Sequence, residues 1–241
     1  WHEARTSQGY YNVNPARLVV LLGNKPYVDV RNTFNSFIPS AISPNLREKL
    51  VSFYLDKLEK NPQLQDKVEF DIVYTCYDIG FDERSKELIS YGFTQNEIGQ
   101  LKKALIQLTN DLVLGSRESV ENDLKSVKIM EKNREEIKNK VVSSDASVES
   151  LLESSRMLLE DCRKNGTVPF SRLARLGFIG KIILHSLVKA GVIDSAFHDQ
   201  FMNSIQTVAT EINDDFNMLM RGIINKDDFI RKYYHLRQGS Y

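Results

Sequence analysis

The sequence predicts an α+β chain that is mostly α: a small antiparallel sheet with a helix near the N-terminus, then a helical bundle with a long helical hairpin. Three observations predict it. Alternation of bulky and polar residues, the mark of strands, is confined to the first third of the chain. Apolar residues at helical spacing, punctuated by caps, fill the remainder. A densely charged stretch, Arg117 to Val141, carries only a narrow apolar stripe, as a projecting arm would. Residues 1–92 are thus expected to form an α+β subdomain with about three strands. Residues 93–241 are expected to be helical, with an arm over about 117–159.

Trp1 to Asn14 is polar and aromatic and reads as irregular. Arg17 to Leu22 is a short apolar run ending at Gly23-Asn24, a buried strand ahead of a turn. Tyr27 to Arg31 alternates and pairs with it as a hairpin. The segment that follows, through Pro39, mixes Asn32, Thr33, Asn35 and Ser36 with Phe34 and Phe37. Amides and hydroxyls kept beside buried aromatics need a partner for every polar group, so this segment is either a shaped site or a demanding structural corner. Ser43-Pro44 begins a helix that Asn61-Pro62 ends. Lys67 to Tyr77 has the strongest alternation and reads as a strand, with Val68, Phe70, Ile72, Tyr74 and Cys76 on one face.

Asp82 to Tyr91 reads as a short helix closed by Gly92. Thr94 and Glu97 have capping-box spacing and open a long helix that Gly115 bends or breaks. After the turn at Ser143–Asp145, Val148 to Cys162 returns, closed by Gly166. Pro169 begins a more apolar helix, Phe170 to Ala190, closed by Gly191. Asp194 caps a helix from Ser195 to Met220, and Asn225 with Asp228 caps a last short one ending near Tyr234.

Composition narrows the function classes. Lys plus Arg equals Asp plus Glu at 32 each, which argues against a dedicated nucleic-acid partner. No apolar run approaches the roughly 20 residues that span a membrane. Two distant cysteines, Cys76 and Cys162, form no disulfide scaffold and fit the reducing cytoplasm. Of four histidines, none has a His or Cys neighbour at ligand spacing, so no metal site is expected. No phosphate loop, dinucleotide fingerprint or nucleophile elbow is present, and no catalytic residue is assigned. The chain opens on Trp1 without an initiator Met and stops at Tyr241; it reads as a piece of a longer protein.

The candidate binding residues are few. Arg31 is either a cross-strand ion-pair partner, with Asp29 beside it and Glu69 and Asp71 on the neighbouring strand, or a ligand group that points with Asn35 into a cleft. Arg172 and Arg175, near the start of an apolar helix, suit either a phosphate or a surface pairing. The terminal segment Tyr233 to Tyr241, which holds His235 and Arg237, has the composition of a binding segment.

Three stretches carry a family resemblance. Pro26-Tyr27-Val28-Asp29-Val30-Arg31 with Phe34-Asn35-Ser36-Phe37-Ile38-Pro39, and Lys67-Val68-Glu69-Phe70-Asp71-Ile72-Val73 with Thr75-Cys76-Tyr77, resemble the middle region of phosphoenolpyruvate synthase-like proteins. The closing Tyr234-His235-Leu236-Arg237-Gln238-Gly239-Ser240-Tyr241 is similar to that family's Tyr-Gly-His-x-x-Pro-Gly-x-Tyr-Asp segment, with Gln238 where Pro is usual. The resemblance implies a multidomain phosphotransferase of dikinase type, laid out like rifampin phosphotransferase. Its ATP-grasp domain, using ATP and Mg, and its swivelling phosphohistidine domain would be this chain's partners. This chain would be the central acceptor-binding or scaffold domain, not catalytic by itself, with Arg31, Asn35, His235 and Arg237 lining the acceptor site. The alternative is a structural spacer whose charged arm docks a neighbouring domain or a second subunit as a dimer.

Overall fold

Val19–Leu22 (β1) and Lys25–Val28 (β2) pair as an antiparallel hairpin, with Val19 opposite Val28 and Leu22 opposite Lys25. They are the only strands among the described residues of the computed structural model, which are 2–14, 17–142 and 147–236. Gly23 and Asn24 turn the hairpin, both at positive φ, 54° and 61°. Such a left-handed pair twists in the sense that flanking strands need. The expectation of a buried first strand fails: Leu21 is 71% exposed, because this two-stranded ribbon has no third strand or helix covering that side chain.

The second strand also stops earlier than its alternation suggested. His2–Ser7 (α1) precedes the hairpin, and Val30–Asn35 (α2) follows it. Asp29 is the N-cap of α2: its carboxylate accepts from the Asn32 backbone N–H at 2.9 Å and from Asn32 Nδ2 at 2.7 Å. A local cap satisfies Asp29 more cheaply than a partner across a sheet. Pro44–Lys60 (α3) starts as its sequence demands, with Ser43 as N-cap and Pro44 in the first turn, and buries Leu46, Leu50, Val51, Phe53 and Tyr54.

The predicted strand over Lys67–Tyr77 does not form. Pro62–Lys67 is a 3₁₀ segment and Val68–Ile72 a π-helical turn. The chain then runs extended from Val73, with Ile72 through Cys76 all buried. Side-chain hydroxyls supply the hydrogen bonds that a neighbouring strand would have made. Tyr54 Oη accepts from the Tyr74 N–H at 3.2 Å, and Thr109 Oγ1 accepts from the Tyr77 N–H at 2.8 Å. Tyr10 Oη donates to the Thr75 carbonyl at 2.8 Å. Burial on both sides, with backbone groups still paired, removes any need for a sheet.

Phe81–Arg84 (α4) and Lys86–Ser90 (α5) take the place of the single helix expected up to Tyr91. Gln95–Leu114 (α6) opens with the Thr94/Glu97 capping box and sends Ile98, Leu101 and Leu105 into the same core as Phe34, Leu50 and Tyr54. The core therefore crosses the expected boundary at residue 92. Hydrogen bonds from Lys49 and from the Thr94 backbone hold the Glu97 carboxyl below its ordinary pKa. Its stabilisation is fully present above the unfolded value and is lost as pH falls through the folded one. Glu97→Gln is expected to lower the urea midpoint at pH 7 and to leave it unchanged near pH 2, as measured by circular dichroism.

Ser116–Val142 (α7) follows Gly115 and forms one limb of the arm. Val148–Asp161 (α8), a π-helical turn at Cys162–Thr167 and Val168–Lys189 (α9) run on as one helix and form the other. Gly166 does not close a helix here. A Cβ on it would lie 2.7 Å from Met130 Sδ, so the missing side chain lets the two limbs approach. Three contacts set one antiparallel register: Asp123 with Arg172, Met130 with Gly166, and Asn133 Nδ2 donating to Asp161 Oδ1 at 3.0 Å. Each advance along α7 meets a matching retreat along the return helix. Polar pairs within such a seam fix register, since a slip strands them.

The chain divides into two compact units, Trp1–Lys189 and Ala190–Tyr241. In the second, the single helix expected from Ser195 to Met220 is broken. Ser195–Ser204 (α10), capped by Asp194, gives way to Val208–Met220 (α11), which opens on a Thr207/Thr210 capping box. Thr207 is extended, and its hydroxyl accepts from the Thr210 N–H, so it ends one helix by starting another. Lys226–Tyr233 (α12), capped by Asn225, packs on α11 through Phe216 and Phe229, whose ring centroids lie 6.2 Å apart.

Candidate functional site

The residues singled out for ligand binding fall on α2, on α9 and in the second unit. Arg31 is exposed on α2, and Asn35 Nδ2 donates to the Arg31 carbonyl at 3.1 Å, so the amide is spent on its own helix. His235 belongs to the second unit, exposed and set edge-on against Tyr234 at 5.9 Å. Arg237 lies outside the described residues. Arg172 and Arg175 do not flank a helix start, because the π turn joins α9 to α8 without a break. Both engage carboxylates of this chain.

Arg172 Nε donates to Asp123 Oδ1 at 3.0 Å, and Asp123 is buried. Those hydrogen bonds hold Arg172 above its ordinary pKa. Arg175 is 4% exposed and pairs with Glu69 of the π turn. Arg5 of α1 also approaches Glu69, at 3.8 Å, and Arg5 Nη1 donates to Ser36 Oγ. Phe37 lies under both cations, 3.7 Å from the Arg5 guanidinium and 5.1 Å from that of Arg175. Burial, with Arg175 nearby, pushes Arg5 down to about 10. Burial likewise raises Tyr10, beside Arg175, to about 12. Two guanidinium groups thus meet one carboxylate in a desolvated place, joining four segments distant in sequence.

The arm offers a second kind of surface. Val148, Leu152 and Leu159 of α8 stand out from it, 68%, 67% and 73% exposed. With Ser155 and exposed Cys162 they step along the helix by alternating fours and threes, the spacing of a coiled-coil seam. On the opposite side of α8 an open groove of about 390 Å³ faces α7. Its lining includes apolar Ile137 and Met157 and polar Asn133, Glu136, Arg156 and Lys164. Among the described residues, no group of three metal-ligating side chains assembles, and no helix is long and apolar enough to cross a membrane.

Sequence reasoning missed Arg5, Phe37 and Asp123 as partners of these arginines. Arg5 sits in a six-residue helix with one buried side chain, Ala4, too short for a periodic signal. No family model, no curated protein and no solved structure matches the chain.

Proposed function

We propose that the chain is a non-catalytic docking and scaffold domain of a multidomain, ATP- and Mg-dependent phosphotransferase of the phosphoenolpyruvate synthase-like kind, working in the cytoplasm. The single observation that carries the docking role is the exposed stripe Val148–Leu152–Ser155–Leu159 on α8, continued by Cys162 at the start of the π-helical turn. Its spacing suits a partner helix, and burial of three aliphatic side chains there favours association by several kcal/mol. The alternative, an acceptor site, rests on Arg31 and Asn35, one exposed and the other turned onto its own backbone. Geometry therefore favours docking over an acceptor site, and the family resemblance supports a neighbouring ATP-grasp or phosphohistidine domain as the partner, with a second copy as the alternative. Two free cysteines support the reducing compartment.

Replacing Leu152 and Leu159 together by glutamate is expected to leave thermal unfolding nearly unchanged, since both side chains are exposed. It is expected to weaken association at least tenfold in sedimentation of the chain and of the parent enzyme. Unchanged association in both would refute the docking role.

A further inference from the structure

The Arg5–Glu69–Arg175 cluster holds one guanidinium nitrogen, on Arg175, that its carboxylate does not use. Arg175 Nη1 is buried without a hydrogen-bond partner. Neighbouring side chains repeat the pattern: Thr6 Oγ1 beside Arg5, Thr33 Oγ1 beside the Arg5–Ser36 bond, Gln8 Oε1, and Thr75 Oγ1 beneath Tyr10 are also buried and unpartnered. Buried polar atoms without partners are few in folded proteins, and each calls for an explanation. Here five of them belong to residues tied to the Arg5 and Arg175 network or to its immediate sequence neighbours. Four of the five, the Arg175 guanidinium nitrogen and the three threonine hydroxyls, can donate hydrogen bonds; Gln8 Oε1 can only accept.

We propose that Arg5 and Arg175 form a binding site for a small tetrahedral oxyanion of the phosphate class, with Glu69 as the internal carboxylate that the anion joins or displaces. The planar guanidinium fork matches two oxygens of such an anion at once. Phe37, stacked under both cations, keeps the two forks in place and water out. Within the trio, positive charge exceeds negative by one, so a monoanion or dianion lowers the electrostatic cost of burying both arginines. The site lies among residues of the first unit and shares no residue with the docking stripe.

Calorimetric titration of inorganic phosphate into the chain, in a chloride buffer with acetate as the parallel titrant, tests the proposal. Saturable phosphate binding with acetate at least tenfold weaker is expected. Arg175→Gln is expected to weaken phosphate at least tenfold, and Arg5→Lys, which keeps the charge and loses the fork, to weaken it several-fold. Glu69→Gln, which removes the competing carboxylate, is expected to tighten phosphate severalfold. Circular dichroism confirms that each variant folds; Glu69→Gln keeps the test decisive if an arginine variant does not. Absence of phosphate binding in the wild-type chain overturns the proposal, even if Glu69→Gln binds. Equal binding of acetate and phosphate overturns it too.

Discussion

Asp123→Ala is expected to destabilise the arm by about 3 kcal/mol, the range for breaking a buried ion pair. The loss comes less from the missing attraction than from what is left behind. Asp123 is 1% exposed at its side chain and Arg172 25%, so alanine strands a guanidinium in a place from which water is mostly excluded. A second change, Arg172→Met, is expected to recover much of the loss by removing that stranded charge. Urea unfolding of the four members of this double-mutant cycle measures the coupling. Hydrogen exchange should locate the loosening in α7 rather than in α3 or α6. Equal stability of Asp123→Ala and wild type would mean that the pair does not hold the register.

Phe37→Ala is expected to cost about 4 kcal/mol, as for large-to-small changes at a fully buried aromatic. Phe37 is 1% exposed, and its ring bears two cations as well as the apolar core. Phe37→Leu separates the two contributions: it keeps most of the apolar volume and gives up the ring face. Its expected cost is about 1–2 kcal/mol, part of it the cation–π share. Thermal and urea unfolding of both variants provide the check. A leucine variant as stable as wild type would remove the cations from the account.

Much of this architecture can be read from local chemistry. Ser43-Pro44, the Thr94/Glu97 box, Asp194 and Asn225 each sit where a helix begins, because a capping side chain acts within three residues of itself. The hairpin turn is equally local. The failures arise where a pattern is ambiguous about distance. Alternation over Lys67–Tyr77 signals apolar side chains every second residue, and a π turn followed by an extended buried run satisfies it as well as a strand does. Only the hydroxyls of Tyr10, Tyr54 and Thr109, far away in sequence, decide between them.

The arm teaches a similar lesson. Reading its stripe by hydrophobicity selects Leu124, which is 49% exposed, over Asp123, which faces inward. One position of rotation separates the two, and the partner that settles it, Arg172, comes much later in the chain. The candidate sites were less legible still. Arg175 was picked out for a helix start that does not exist, and Arg5 by nothing at all. Arg31 was picked out for a strand face, yet Asp29 caps a helix there.

The unbroken run from Val148 to Lys189 gives the molecule a mechanical property. At about 1.5 Å per residue it is a beam roughly 60 Å long. One end carries the stripe on α8; further along, Arg172 and Arg175 bolt it to α7 and to the π turn at Glu69. A load applied near the tip is a torque about those bolts. A tilt at the tip reaches Arg175 through the Cys162–Thr167 π turn and Pro169, where helices bend most readily, and what passes them pulls on Glu69, Phe37 and Arg5 together.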